Sequence, residues 1–205
     1  GGARVGKGNF IIPWLVDGLL QSDGIAQHII SLDWKGQNGI IAGLQVQQRR
    51  HVYSYNPRAM RGAPQHRINP TSHLRADSPS LVADALLSSA SWIPMTNPKA
   101  AYFEGSAQRI LTAATVTLAR SNGVVTLPEL ADKMAGLGSA SDEWLSFEYD
   151  ISTQPEPEIR EVAQELREFR ASSGDGAGFK GIKGEISRSF TCLMDPQVRD
   201  ALSPP

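Results

Sequence analysis

Apolar and polar positions alternate in two regimes along the chain. Over residues 1–56, short runs of β-branched and aromatic residues are spaced by stretches with helical periodicity. His28-Ile29-Ile30-Ser31-Leu32-Asp33 and His51-Val52-Tyr53-Ser54-Tyr55-Asn56 predict two strands. A helix is expected over 39–48 between them, and another over 6–20, bent at Pro13. The order loop, helix, strand, helix, strand is that of an α/β unit with a parallel sheet. From Pro57 to Pro70 the chain becomes a loop rich in Pro, Arg and polar residues, and beyond Ser78 the period is helical almost to the end.

Within that second regime the pattern predicts a helix over 80–91 carrying Leu81, Ala85 and Leu86. A longer one over 99–121 places Phe103, Ile110, Leu111, Ala114 and Leu118 on one face. Asn122-Gly123 is a stop signal. Thr126-Leu127-Pro128-Glu129 has the capping-box form, with Pro expected at the first helical position and Gly136 closing the helix. Ser141 is placed to cap a helix through Trp144, Leu145 and Tyr149, which Pro155 and Pro157 end. Ile159, Val162, Leu166 and Phe169 form the apolar stripe of an otherwise charged helix over 158–170. Residues 172–178 read as a flexible linker. Phe179, Ile182, Ile186, Phe190 and Leu193 then predict one last long helix, ended by Pro196 and by Ser203-Pro204-Pro205. The expected fold is mostly α, with an α/β opening.

Charge divides the chain in the same way. The formal net charge of −1 over 205 residues conceals nine Lys/Arg against three acids in residues 1–75 and 11 against 18 in the rest, that is +6 and −7. A basic region suits phosphates and an acidic one a different partner, although acidic helices are also ordinary solvated surface. No apolar run approaches the ~20 residues of a membrane span, and no basic start precedes an apolar stretch, so neither a transmembrane helix nor a signal peptide is read. The single Cys192 rules out a disulfide framework, and four histidines without cysteine partners make a structural zinc site unexpected.

The candidate chemistry stands at the start. Gly1-Gly2-Ala3-Arg4-Val5-Gly6-Lys7-Gly8-Asn9 contains the G-x-x-x-x-G-K part of a P-loop. Glycines let successive amides curl toward phosphate oxygens, the following helix offers its positive end, and Lys7 would reach the outer phosphates of ATP. Gly8 stands where a Ser or Thr would ligand Mg²⁺, and a flexible glycine-rich tail is the alternative reading. Asp33, ending an apolar strand one βαβ step downstream, is placed to assist Mg²⁺ through water; an ordinary strand-ending turn would look the same. Cys192 reads as core rather than nucleophile. Trp92, Trp144, Tyr102 and Phe103 read as packing residues, with base stacking the alternative, and Glu104 sits among them without an evident partner. Arg49, Arg50, Arg58, Arg61 and Arg67 suit a phosphate backbone, a neighbouring subunit's nucleotide, or plain solvent.

An ordered series of motifs resembles the TraG/TraD-like coupling proteins of type IV secretion. It runs from Gly6-Lys7-Gly8 and Ile12-Pro13 through Asp33-Trp34-Lys35-Gly36, Tyr55-Asn56-Pro57 and Ile68-Asn69-Pro70. It continues with the Asp84 helix, Ala101-Tyr102-Phe103-Glu104-Gly105, Thr126-Leu127-Pro128, Asp195-Pro196 and Ser203-Pro204. The resemblance spans nearly the whole chain and implies an α/β P-loop NTPase (RecA-like) portion with an inserted all-α domain. In its terms 1–56 opens the nucleotide-binding domain, 57–70 is a linker, 71–190 is the all-α substrate-recognition domain, and 191–205 returns toward the nucleotide-binding domain.

The resemblance implies an ATPase using ATP and Mg²⁺, with Gly1 to Asn9 and Lys7 on the phosphates and Lys7 and Asp33 in the catalytic roles. It also implies a homo-hexamer on the cytoplasmic face of a bacterial inner membrane, with membrane helices outside this chain. Relaxosome or effector proteins, single-stranded DNA and the type IV secretion channel are its partners. Gln37 replaces the family's glutamate after D-x-K-G, no strand precedes Gly1, and no apolar run closing in Asp-Glu occurs before Pro205. The chain is therefore expected to be part of a larger motor and not competent for hydrolysis alone. Two other functions fit parts of the pattern: a helical protein-binding module without activity, and a segregation-type DNA translocase.

Overall fold

Ten consecutive residues of one helix, Ile110 to Ala119, are all buried, which places that helix at the centre of a bundle. The structure, a computed structural model, describes residues 66–95, 98–171 and 177–203. Helices make up 70% of these, and their only β pairing is an isolated bridge, so the described part is mostly helical as the periodicity predicts. The strands expected at 28–33 and 51–56 lie outside the described residues.

The helices are α1 (Leu81–Trp92), α2 (Ala101–Asn122), α3 (Leu127–Ala135), α4 (Asp142–Ser152), α5 (Pro157–Ala171), α6 (Ala177–Ser189) and α7 (Pro196–Ala201). A 3₁₀ turn, Thr191–Met194, separates the last two. They belong to one compact unit, Arg67–Pro205. The central α2, about 33 Å long, packs against α1, α3, α4, α5 and α6, while α4 pairs with α5. Ala107, Ala113, Ala114 and Ala119 leave room for neighbours to approach its backbone. Its buried hydroxyls at Thr112 and Thr117 donate to the carbonyls of Gln108 and Ala113 at 2.8 Å each, so they enter the core at little cost.

Local signals set most boundaries. Gly123 ends α2 with φ +83°, a left-handed conformation that side chains resist. Thr126 and Glu129 form the complete capping box of α3, with Pro128 as the second helical residue rather than the first. The Ser141 hydroxyl caps α4 by accepting from the Trp144 amide at 3.3 Å.

The C-terminal region departs from expectation. α6 begins at Ala177, inside the stretch that reads as linker, and ends at Ser189. Phe190 to Leu193 do not prolong it, because the chain turns through a 3₁₀ segment there. Pro196 does not terminate a helix; it opens α7, whose Asp195 cap accepts from the Gln197 amide at 2.9 Å. Cys192, expected in the core, is exposed on that turn. Leu86 and Tyr102, expected to pack, are also exposed: Leu86 lies off the face of α1 that Leu81, Ala85 and Ser89 bury, and Tyr102 sits in the first turn of α2, ahead of the stretch its neighbours enclose. Trp144 is buried, whereas Trp92 and Phe103 are half-buried against the core.

The two ends of the helical unit are joined. The Ile68 amide donates to the Ala201 carbonyl at 2.9 Å, and Arg67 pairs with Asp200 at 2.6 Å. The entering segment is then tied inward: Asn69 and Thr71 both donate to the Val125 carbonyl, and Arg75 bridges Val124. Leu74, fully buried, anchors this segment in the core.

Candidate functional site

Gly1 to Asn9, Lys7 and Asp33 lie outside the described residues, so the phosphate site predicted from them has no geometry here. Among the described residues no group of three His, Cys, Asp or Glu is placed to hold a metal ion. None of their helices is long and apolar enough to cross a membrane.

An open, shallow cleft of about 360 Å³ lies on α1, lined by His73, Asp84, Leu87, Ser88, Ser91 and Trp92. Periodicity explains its floor and walls. Leu81, Ala85 and Ser89, four residues apart, face inward and are buried; the turns between them point Asp84, Leu87, Ser88 and Ser91 outward. Ser80 donates to Asp84 Oδ2 at 2.6 Å, fixing the carboxylate in the first turn, and His73 Nε2 lies 3.4 Å from the Ser88 hydroxyl. No ion pair reaches Asp84 among the described residues. Of the lining residues Leu87 is 69% exposed; Leu86, on another side of α1, and Met95, just past the helix, are exposed as well.

A second, much smaller hollow of about 40 Å³ lies between α3 and α4, bordered by Asp132, Lys133, Gly136, Ser141, Glu143 and Trp144. Its charges already have partners. Lys133 meets Glu143 at 2.6 Å and holds that carboxyl below the usual range, and Arg199 pairs with Asp132.

No protein-family model, curated protein or solved structure matches the chain.

Elsewhere the charged residues are mostly internal fasteners. Glu148, whose side chain is 3% exposed, accepts from Arg170 Nη1 at 2.6 Å, Arg170 Nη2 at 3.1 Å and Arg167 Nε at 3.3 Å, clamping α4 to α5. Arg120, at the end of α2, donates to both oxygens of Glu156 at 2.7 Å and to Gln154 at 2.8 Å. Those hydrogen bonds hold the Glu156 carboxyl below its ordinary range and raise the Arg120 guanidinium. Arg75 and Asp77 shift each other in the same two directions at an exposed turn. By contrast Asp142, Asp150 and Glu158 meet no cation among the described residues.

Sequence reasoning places Asp84 on a helix but does not find the cleft, because Leu87, Trp92 and His73 acquire meaning only once α1 is seen to be covered on one side. Glu148 carries a signal that the sequence reading missed: it stands four residues after Trp144, inside the apolar stripe completed by Phe147 and Ile151. Glu104, which the sequence leaves without an evident partner, is buried, and its Oε2 accepts no hydrogen bond among the described residues.

Proposed function

We propose that this chain belongs to an ATP-driven coupling protein of the TraG/TraD-like kind, which brings cargo to a type IV secretion channel, and that its helical unit recognises that cargo. The observation carrying this reading is the joined ends of the unit. A domain inserted into a host fold has to begin and end at neighbouring points, and the Ile68–Ala201 hydrogen bond with the Arg67–Asp200 pair meets that requirement. The ordered motifs that precede and follow supply the rest of the argument. The reading assigns the ATP phosphates to the amides of Gly1 to Asn9 and to Lys7, and Asp33 to Mg²⁺ through water, in an α/β P-loop portion. Its larger context is a homo-hexamer at the cytoplasmic face of a bacterial inner membrane, with relaxosome or effector proteins and single-stranded DNA as partners.

The charge arrangement favours protein over nucleic acid as what the helical unit itself touches. Most of its arginines are committed to carboxylates within the unit, and Asp142, Asp150 and Glu158 stand uncompensated at or near its surface among the described residues. Phosphate backbones require free cations. This also keeps a purely helical binding module as a second reading.

Titration of a fluorescent ATP analogue with Mg²⁺ against the chain and its Lys7→Ala variant tests the assignment. Saturable binding that Lys7→Ala abolishes is expected, with little turnover. Equal binding by both proteins removes the nucleotide site, and rapid hydrolysis by the chain alone removes the expectation that it is not competent by itself.

A further inference from the structure

Four buried side-chain polar atoms lack a hydrogen-bond partner among the described residues, and three of them are Ser89 Oγ, Glu104 Oε2 and Thr115 Oγ1. Ser89 lies on the buried face of α1, which packs principally on α2; the other two belong to α2 itself. Gln108 of α2 donates to the carbonyl of Ile93, the residue that ends α1, at 2.7 Å, and so marks the side of α2 that faces α1. At about 100° per residue, Glu104 and Thr115 stand about 40° and 20° from Gln108 round the helix, both to the same side. The other neighbours of α2 take different sectors. Phe103, which meets Gly181 of α6, lies about 140° away on that side, and Arg109, which meets Glu165 of α5, about 100° the other way. All three unpartnered groups therefore fall in the contact between α1 and α2.

A buried hydroxyl or carboxyl that has lost water without gaining a partner weakens the contact that buries it. Each such group lowers the preference for the closed arrangement about fivefold to a hundredfold. The contrast within α2 is direct: Thr112 and Thr117 bond to carbonyls of their own helix, and Thr115 does not. Releasing α1 returns Ser89, Glu104 and Thr115 to water.

Little else holds α1 in place. Only Leu81, Ala85 and Ser89 of its 12 residues are buried, and among the described residues no ion pair joins it to another element. The rest of the unit is fastened. Glu148 clamps α4 to α5, Arg109 ties α2 to α5, Lys133 meets Glu143 between α3 and α4, and Arg199 ties α7 to Asp132 of α3. The chain ahead of α1 has anchors of its own, the buried Leu74 and the Ala76 amide that donates to the Gly123 carbonyl at 2.9 Å.

We propose that α1 is a releasable arm, which leaves α2 as one piece while α2 to α7 stay folded. Opening uncovers a polar stripe of α2, Glu104, Gln108 and Thr115, that the closed unit hides: a carboxylate, an amide and a hydroxyl along about 17 Å of helix. The arm is thus a conformational switch built into the unit, and it is independent of the recognition role and of the nucleotide site proposed above.

Native-state hydrogen exchange of the full chain, read amide by amide in rising urea below the unfolding transition, tests the arm. The amides of Ala85 to Ile93 are expected to exchange as one group, on the order of 100-fold faster than the slowest amides of α2 and α5. Their urea dependence should be shallower, because opening exposes only part of the buried surface. Thr115→Val removes one unpartnered hydroxyl and should slow that group about threefold to tenfold. Thr117→Val, at a bonded hydroxyl on the opposite side of α2, should leave the group's rate unchanged. Exchange of the α1 amides at the rates and urea slopes of α2 and α5 overturns the proposal, as does an equal effect of the two Thr→Val changes on them. If either variant fails to fold, the order of exchange in the parent decides by itself.

Discussion

The ring of Phe103 on α2 fills the space that a Cβ on Gly181 of α6 would occupy, with its Cδ1 2.9 Å from that position. The glycine at this point is a contact device that lets the two helices close. Three residues on, Gly184 faces open space, where nothing lies within 4 Å of the position a methyl group would take.

The two glycines should therefore respond oppositely. Gly181→Val displaces Phe103 and is expected to destabilise the unit by about 1–3 kcal/mol, whereas Gly184→Ala should stabilise it by about 0.5–1 kcal/mol through helix propensity and a less free unfolded chain. Urea unfolding of the parent and both variants decides it; a Gly181→Val protein as stable as the parent would mean that α6 does not pack on Phe103.

Gly138 carries two constraints at once. Its φ is +72°, and a Cβ there would lie 2.6 Å from Cε1 and Cζ of Phe179, a buried ring stacked on Phe169 with centroids 5.0 Å apart. Gly138→Ala should cost about 2–4 kcal/mol and lower the melting temperature by roughly 5–15 °C. A melting point within a degree or two of the parent would show that the turn has an easy alternative.

The clamp at Glu148 predicts a non-additive pair of substitutions. Arg170→Ala leaves a buried carboxylate with only Arg167, at a cost of about 1–3 kcal/mol after discounting for the partly exposed guanidinium. Adding Glu148→Gln removes the stranded charge, so the double variant should be more stable than the two single losses combined would give. Additivity in a double-mutant cycle would remove the clamp.

Acid should loosen the junction between α2 and α5. The Glu156 carboxyl is held below its usual range by Arg120, so its contribution is fully present above the unfolded carboxylate pKa, near 4.3, and is lost as pH falls through the lower folded value. Glu156→Gln is expected to flatten the acid limb of stability below about pH 4.5 and to leave the slope near neutrality unchanged. Parallel acid limbs in parent and variant would show that the pair is not linked to folding.

What can be read from sequence is local. Thr126 and Glu129 announce a capping box because both partners of the hydrogen bonds lie within four residues, and Gly123 announces a stop because only its own φ is at issue. Asp195-Pro196 holds the same kind of start signal, yet it reads as a stop because Phe190 and Leu193 fall in step with the preceding helical stripe; the 3₁₀ turn between them breaks the period. Leu86 and Tyr102 show the other limit. Which apolar positions of a helix are covered depends on where its neighbours stand, and no spacing within the helix carries that information. The α1 cleft follows from the same fact. Lys7 and Asp33, readable as phosphate chemistry, lie outside the described residues and rest on their motif alone.

Because the Ile68 amide hydrogen-bonds to the Ala201 carbonyl, the two ends of the helical unit, separated by about one strand spacing, ~5 Å, behave as a single point of attachment. A gene segment encoding the whole unit is then a cassette. It can enter or leave a surface loop of a host protein without prying that loop open, and a linker of a few residues across the same gap would close it into a circle from which new termini could be cut at any exposed turn.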